Sequence, residues 1–211
     1  MLLHMSFFLC IFAAKLSYSM FMRNWTPWIA MLCLLAVAAL WGFKVYNDLV
    51  NREEGVEEAW TQVENQYQYR AELAPKLVDA VMEFAAQEQA LLQGVVEARI
   101  KALHITVDPT NITPEQLASY QAAQGELSRA IRHLLAVTDK YPKLKANEHF
   151  CDIVSQLERT ENRIAIARQQ FNDSAKKYNK KVRRIPGNVV AAMFGFEKVP
   201  YFEAEELGAG D

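Results

Sequence analysis

Six cationic side chains within nine residues are the densest set of chemically active groups in the sequence. They lie in the stretch KKYNKKVRR, and they are Lys176, Lys177, Lys180, Lys181, Arg183 and Arg184. Beside a bilayer, each such cation contributes about 1 kcal/mol of attraction to anionic lipid. A run of cations is also typical of a solvated face at a helix C-terminus. Lipid contact and a solvated face are therefore both open interpretations of this cluster.

Groups that could carry catalysis or hold a metal are scattered along the chain. Four histidines show no metal-ligand spacing, namely His4, His104, His133 and His149. Cys151 has only His149 nearby in sequence, and two residues along a helix point to different faces. The sequence contains neither a P-loop nor an HExxH motif. We expect no enzymatic activity, no cofactor and no small-molecule substrate, and a net charge of −2 gives no reason to expect nucleic-acid binding.

Residues 25–46 have the length and composition of a transmembrane helix. Their centre, WIAMLCLLAVAALWGF at 28–43, is uncharged, and about 20 residues cross a bilayer core of roughly 30 Å. Aromatic residues mark both ends, as membrane-interface anchors do: Trp25, Trp28, Trp41 and Tyr46. A cleaved signal peptide is the alternative, because Ala36–Ala38 has the small residues of a cleavage site. The retained anchor is favoured because the apolar run continues past that point.

Residues 1–24 are interpreted as a lead before this helix, with a misplaced start codon as one explanation for them. Cations flank the uncharged centre of the predicted span almost equally, with Lys15 and Arg23 before it and Lys44 and Arg52 after it. The positive-inside count is therefore nearly a tie, and charge near the span leaves the orientation open.

Residues 47–185 repeat apolar positions at steps of three and four, which predicts an all-α fold with an antiparallel bundle of four helices and coiled-coil-like packing. Pro75 interrupts the first seam, so we expect a kink or a tight break near Ala74, and a hairpin there remains open. A new helix is predicted to begin after Thr113, since TPEQ supplies an N-cap, a proline at the first position and a capping glutamine.

The last long helix is predicted to bury Phe150, Val154 and Leu157 and to continue this alternation to Val182, where Pro186–Gly187 ends it. Two of its seam positions are charged, Glu161 and Arg168. The first helix carries Arg70 on its own seam, at a similar height to Glu161 if the two helices are antiparallel. We expect an ion pair between Arg70 and Glu161 that sets the helix register.

A tyrosine–asparagine pair occurs twice, as Tyr46–Asn47 and as Tyr178–Asn179. If the last helix returns antiparallel to the first, the two pairs face one another at the membrane-proximal end of the bundle. Tyrosine suits such a place because its ring is apolar and its hydroxyl is polar. The alternative is that both pairs are coincidental.

Residues 186–202 form an apolar C-terminal segment, and residues 203–211 form an acidic tail that we expect to be disordered. The apolar patch in the segment comprises Val189, Val190, Met193, Phe194 and Phe196. Three roles for the patch remain open: it caps the open end of the bundle, lies in the membrane interface, or binds a partner.

Long stretches of the chain resemble the LemA family of bacterial membrane proteins. They are VYNDLVNREEGVEEAW, YRAELAPKLVDAV, YPKLKANEHF, LERTENRIAIAR and YNKKVRRIPGNVVAAMFGFEKVPYFE, in the family's order over about residues 42–203. The chain departs from the family where it reads Tyr69 to Lys76, because the family commonly has two arginines followed by Asp-Leu-Ile-Pro-Asn. Any role of the missing arginine or asparagine therefore does not transfer.

The resemblance implies a single-pass protein of the bacterial inner membrane, with its N-terminus outside, its bundle in the cytoplasm and no enzymatic activity. One branch of the family is associated with magnetosome membranes. The family's genes often lie beside those for TPM-domain membrane proteins or membrane zinc peptidases, which makes these proteins candidate partners, together with a homo-oligomer. We predict a membrane-anchored scaffold or adaptor, and the alternative is a lipid-organising or membrane-remodelling protein that acts through the basic cluster and the apolar C-terminal segment.

Overall fold

The computed structural model describes residues 2–109 and 111–203, with side chains described from residue 27 onward. Regular structure in these residues is entirely helical, so the all-α prediction is confirmed. The α-helices of the described residues are α1 (Leu2–Met82), α2 (Gln89–His104), α3 (Pro114–Val137), α4 (Pro142–Lys145), α5 (Glu148–Arg183) and α6 (Gly187–Phe194). A 3₁₀ turn at Thr138–Lys140 separates α3 from α4. The chain divides into two compact units, Met1–Asn47 and Asp48–Asp211.

The first unit contains the predicted span. Helix α1, from Pro27 on, contains a stretch long and apolar enough to cross a membrane, and it is the one such helix among the described residues. Trp28 and Trp41 are exposed on it, and the prediction for the Trp25 side chain lies outside the described residues. Exposed apolar surface costs roughly 25 cal/mol per Å² in water, so a helix of this kind is stable where lipid covers it.

The second unit is the predicted helical bundle. Contacts between α1 and α5 run in opposite directions along the chain, since Asp48 contacts Lys181 and Tyr69 contacts Gln156. These two helices are therefore antiparallel. Helices α2 and α3 form the neighbouring hairpin, where Lys101 pairs with Glu126. Buried apolar side chains from α1, α2, α3, α4 and α5 form one continuous core in the half of the unit that is farther from Asp48.

Pro75 does not break the first helix, so the tight break near Ala74 and the hairpin are wrong, and a kink within a continuous helix is the alternative that remains. Helix α1 continues through Pro75 to Met82, and the chain reverses at residues 83–88 instead. Proline lacks the N–H that would bond to the carbonyl four residues earlier, which is that of Ala71. Arg99 of α2 takes this role, because its Nε donates to the Ala71 carbonyl oxygen at 2.7 Å. The helix tolerates Pro75 because the neighbouring helix satisfies the freed acceptor.

The predicted start of α3 is confirmed. The side chain of Thr113 accepts from the Gln116 backbone N–H at 3.2 Å, and the Thr113 N–H donates to the Gln116 side chain at 3.1 Å. This is the reciprocal capping box that the TPEQ motif indicates.

The predicted seam of α5 is wrong at alternate positions. Phe150, Leu157, Ile164 and Phe171 are buried as expected, but between them the core takes Ile153, Thr160 and Ala167 in place of Val154, Glu161 and Arg168. An α-helix has 3.6 residues per turn, so a buried face can follow either set of steps of three and four. Glu161 and Arg168 therefore flank the core.

An extended C-terminal segment, residues 196–203, completes the half of the bundle that is nearer to Asp48. The ring of Phe202 stacks on Trp60 with centroids 5.9 Å apart and meets Phe171 edge-on at 5.3 Å. The carbonyl of Glu203 accepts hydrogen bonds from Gln121 and Arg168, so the ordered segment includes Glu203. The predictions for the rest of the acidic tail, residues 204–211, lie outside the described residues.

Two asparagines of α5 hold this segment to the bundle. The Asn172 side chain donates to the carbonyl of Phe202 at 3.0 Å and accepts from its N–H at 2.9 Å. Asn179 does the same with Val199, at 2.7 and 2.9 Å. Seven residues of helix rise about 10 Å, and three residues of extended chain cover about the same length. The spacing of the two asparagines therefore matches that of Val199 and Phe202.

Candidate membrane-contact surface at the base of the bundle

The base of the bundle is the end of the second unit at which Asp48 of α1 lies beside Lys181 of α5. The Nζ atom of Lys181 is 2.7 Å from Oδ2 of Asp48, and Nε of Arg52 is 3.1 Å from Oδ1. These partners lower the pKa of Asp48, with the hydrogen bond from Lys181 contributing most. Asp48 follows the predicted span, residues 25–46, by only two residues in sequence. The end of α5 is thus held beside the residue with which the bundle begins.

A cavity of about 430 Å³, here called the basic cleft, opens at this base. The turn at residues 185–187 forms one of its borders. Five cations, one from α1 and four from the end of α5 or just after it, line the cleft: Arg52, Lys177, Lys180, Lys181 and Arg184. The cleft is therefore built from two helices and a turn, and its walls are mainly cationic.

The structure divides the six cations of the predicted lipid-contact cluster into two sets. Lys177, Lys180, Lys181 and Arg184 line the cleft, whereas Lys176 and Arg183 are exposed on α5 outside it. Each helical residue advances by about 100°, which places Lys176 and Arg183 about a quarter turn away from the centre of the cleft face. Arg52 also lines the cleft, and sequence reasoning missed this role because it lies more than 120 residues from the cluster.

The turn after α5 fits only because residue 187 is glycine. A Cβ atom at Gly187 would lie 2.3 Å from the carbonyl oxygen of Lys181, well inside any tolerable contact. The N–H of Asn188 then donates to the carbonyl of Arg184 at 2.9 Å, and helix α6 begins. The close approach of Gly187 to α5 fixes where α6 lies relative to the basic cleft.

Helix α6 presents an exposed apolar face beside the cleft. Val189 and Met193 are four residues apart, which places them on one side of α6, and both are exposed. Ile185, in the turn that precedes the helix, is also exposed. Phe194 is exposed as well, and Phe196 is half-buried. Val190 and Ala191 point inward and are buried. The predicted patch is thus divided between residues packed on the bundle and residues on its surface, and sequence reasoning missed Ile185.

The second tyrosine–asparagine pair has partners within the bundle. The hydroxyl of Tyr178 donates to Oε1 of Glu53 at 3.4 Å, and burial raises the pKa of Tyr178, so the phenol remains protonated. Asn179 binds Val199, as described above, and its Nδ2 also donates to the hydroxyl oxygen of Tyr201 at 3.0 Å. Tyr46 is half-buried and Asn47 is exposed in the first unit. Their pairing with Tyr178 and Asn179 stays a prediction.

Arg70 lies at the centre of a polar network in the middle of the bundle. Its guanidinium is buried and donates to the Ser128 hydroxyl, to Glu161 at 3.1 Å and to both the carbonyl and the side-chain oxygen of Gln124 at 2.9 Å. Gln124 in turn donates to the carbonyl of Ala102. The network joins α1, α2, α3 and α5, and it brings together the predicted pair Arg70 and Glu161.

Arg168 belongs to a different cluster from Arg70 and Glu161. Its Nη2 donates to the Glu203 carbonyl at 2.8 Å, and its guanidinium lies 5.1 Å from the centre of the Phe202 ring. Arg168 therefore holds the C-terminal segment, a role that its place on α5 did not suggest.

Comparison with known proteins is consistent with this architecture. Magnetosome protein MamQ of Magnetospirillum gryphiswaldense is 25% identical over 180 residues, covering 77% of this chain and 66% of that relative. Two MamQ proteins of Paramagnetospirillum magneticum are 24% identical with the same coverage. Protein LemA of Metamycoplasma hominis is 23% identical over 162 residues, covering 76% of this chain and 70% of the relative. The chain spans just under two thirds of the length of the MamQ relatives.

The LemA family model matches residues 59–209, which include most of the bundle, the basic cleft apart from Arg52, and the C-terminal segment. The candidate membrane helix together with these relatives indicates a membrane-associated protein. The match covers more than half of the sequence, and the chain belongs to the LemA family.

Proposed function

We propose that this protein is a non-catalytic, single-pass membrane protein that organises anionic lipid at the surface of the membrane in which it is anchored. The observation that carries the proposal is the coincidence of two surfaces at the base of the bundle. Five cations line the basic cleft, and the exposed side chains of Ile185, Val189 and Met193 lie beside it. Cations that attract headgroups and apolar side chains that enter the acyl boundary are the two components of an interfacial membrane contact.

The sequence position of the base supports the same proposal. Asp48 and its partner Arg52 follow the predicted span by two and six residues in sequence, and Asp48 also binds Lys181 of α5. Lysine and arginine are enriched in short cytoplasmic segments close to the ends of membrane spans. We therefore place the bundle on the cytoplasmic side of the bacterial inner membrane and the N-terminus outside, in agreement with the family resemblance.

The test is the lateral distribution of anionic lipid around the full-length protein in proteoliposomes. Fluorescent phosphatidylglycerol, diluted in phosphatidylcholine, should self-quench as the protein is added, and high salt should reverse the effect because it screens exposed charges. Fluorescent phosphatidylcholine serves as the control lipid and should not respond. Replacement of all six cations of the 176–184 cluster by glutamine should abolish the self-quenching, and unchanged quenching would refute the proposal.

A protein scaffold or adaptor is the second candidate, because the same exposed side chains of α6 would suit an apolar protein partner. Its partners would be another copy of the chain, a TPM-domain protein or a membrane peptidase, as the family resemblance implies. Photo-crosslinking in intact membranes from a probe at position 193 separates the two functions. Adducts mainly with lipid support lipid organisation, and a reproducible protein adduct would move the assignment to the scaffold.

A further inference from the structure

We propose that the basic cleft is a discrete binding site for one phosphomonoester group, the terminal phosphate of a lipid headgroup or of a small phosphorylated compound. The inference rests on the proposed function insofar as the phosphate belongs to a lipid, but it makes a narrower claim. A cationic surface attracts all anionic lipids in proportion to their charge. A site prefers one chemical group and fills at one ligand per chain.

The arrangement of charge distinguishes the cleft from an ordinary cationic surface. Lys181 and Arg52 are held in position by the carboxylate of Asp48, at 2.7 and 3.1 Å. Within the described part of the chain, Lys177, Lys180 and Arg184 have no carboxylate partner within 4 Å, although all three line the same cavity. Three cations without a carboxylate partner thus line the same space as the two that Asp48 binds. An anion entering this space satisfies donors that the protein leaves unpaired.

The chemistry of the donors favours a monoester over a diester. A phosphomonoester carries close to two negative charges at neutral pH and presents three oxygens, whereas the diester phosphate of phosphatidylglycerol carries one charge and presents two free oxygens. Guanidinium groups such as that of Arg184 bind two phosphate oxygens at once, and ammonium groups such as those of Lys177 and Lys180 act as point charges. The cavity, at about 430 Å³, falls within the roughly 300–1,000 Å³ range of small-molecule sites.

The border of the cleft suits the rest of a lipid molecule. Ile185 and Pro186 line the cavity on the side of α6, and the exposed side chains of Val189 and Met193 continue from there along the helix. If a lipid phosphate binds between the cations, its acyl chain would lie along these apolar side chains. A soluble phosphomonoester would use the cationic part of the cleft alone.

The experiment measures binding to the full-length protein in an uncharged detergent. Native mass spectrometry titrates phosphatidic acid against phosphatidylglycerol, and calorimetry titrates soluble glycerol 3-phosphate. We expect one phosphatidic acid per chain, bound at least about fivefold more tightly than phosphatidylglycerol. Tighter binding of phosphatidic acid than of glycerol 3-phosphate supports the lipid source, and equal affinity supports the site with a soluble source. Equal affinity for phosphatidic acid and phosphatidylglycerol overturns the proposal.

The cluster supplies a matched pair of variants for the same titrations. Lys180→Gln with Arg184→Gln removes one lysine and one arginine from the cleft, and Lys176→Gln with Arg183→Gln removes the same charges from outside it. The first pair should weaken phosphatidic acid binding by about tenfold or more, and the second by less than about twofold. Equal weakening by the two pairs overturns the site. Far-UV circular dichroism checks folding, and Lys177→Gln, an exposed single change, replaces the first pair if that pair unfolds.

Failure of this proposal and failure of the proposed function give different results. If the cleft is not a site but the surface organises anionic lipid, both variant pairs reduce the self-quenching of phosphatidylglycerol alike. If the site exists but the protein does not organise lipid, the cleft pair alone loses phosphatidic acid and self-quenching is absent throughout.

Discussion

The buried guanidinium of Arg70 lies 3.1 Å from the carboxylate of Glu161, and the two partners differ greatly in exposure. The Arg70 side chain is 2% exposed, whereas that of Glu161 is 47% exposed. The arginine also binds Ser128 and Gln124 in the interior, so most of its partners are protein groups that water does not reach. The network therefore depends more on the arginine than on the carboxylate, although the two form a single ion pair.

Arg70→Met should destabilise the bundle by about 2–4 kcal/mol, because it leaves buried oxygens of Gln124 and Ser128 without donors. Glu161→Gln should cost only about 1 kcal/mol, because the amide oxygen still accepts from Arg70 and the position is half in solvent. Chemical denaturation of the full-length protein, followed by circular dichroism, measures both. A larger cost for Glu161→Gln than for Arg70→Met would contradict this account of the network.

The contact between Arg99 and the Ala71 carbonyl predicts a coupling between Arg99 and Pro75. Arg99→Met should cost about 1–3 kcal/mol in the native background, since the carbonyl freed by Pro75 loses its donor. In a Pro75→Ala background the backbone N–H of residue 75 can bond to that carbonyl, and the cost of Arg99→Met should be smaller by about 1 kcal/mol or more. A double-mutant cycle of unfolding free energies measures the difference. Additive effects would show that Arg99 acts independently of the proline.

The two asparagine contacts predict that the C-terminal segment can be released without unfolding the helices. Asn172→Ala together with Asn179→Ala removes four hydrogen bonds to Val199 and Phe202, so Phe202 should leave the ring of Trp60. Trp60 would then be exposed to water. In a background in which Trp25, Trp28 and Trp41 are replaced by phenylalanine, acrylamide quenching of Trp60 fluorescence should therefore increase.

The control is Asn188→Ala, which changes an exposed asparagine of α6 and should not alter the quenching. Unaltered quenching in the double variant would show that the two asparagines do not hold the C-terminal segment against the bundle.

Glu53 predicts a specific dependence of stability on pH. Burial raises the pKa of Glu53, the neighbouring charge of Glu57 adds to the effect, and the hydrogen bond from Tyr178 opposes it. A carboxyl with a raised pKa in the folded state binds its proton more tightly when folded, so stability is lost as the pH rises from below the unfolded value of 4.5 through the folded value.

Glu53→Gln should therefore raise the melting temperature slightly at neutral pH, and the gain should disappear at about pH 4 and below, where the native carboxyl is protonated. Thermal unfolding at several pH values measures this, with the exposed residue Glu54→Gln as the control. A gain that persists undiminished in acid would show that burial of charge is not its cause.

Sequence reasoning succeeded where the determinants are local. The capping box of Thr113 and Gln116 depends on four consecutive residues, and the span depends on one apolar stretch, so both can be predicted without knowing the tertiary structure. The length of α1 could not be predicted, because the partner that makes Pro75 tolerable is Arg99, a residue on another helix. The place of Phe202 on Trp60 depends likewise on contacts between distant parts of the chain.

The candidate site was predicted in part for the same reason. The cationic run of α5 is visible in the sequence, but its division into residues inside and outside the cleft depends on the direction of the turn at Gly187. Arg52 of α1 lines the cleft beside Lys181 of α5, and both are bound to the carboxylate of Asp48. A contact between residues so distant in sequence cannot be predicted from composition or periodicity.

Membrane contact at the base of the bundle can be tested by measuring the depth of α6 relative to the bilayer in full-length protein reconstituted into nanodiscs. A bimane probe is attached at position 193 of a cysteine-free variant, and a second protein carries it at position 166 of α5; the native residues Met193 and Ile166 are 74% and 55% exposed. We expect lipids with a spin label on the upper acyl chain to quench the probe at 193, more strongly when anionic lipid is present, and to leave the probe at 166 unaffected. Equal quenching at the two positions, or none at 193, would contradict a membrane contact at the base of the bundle.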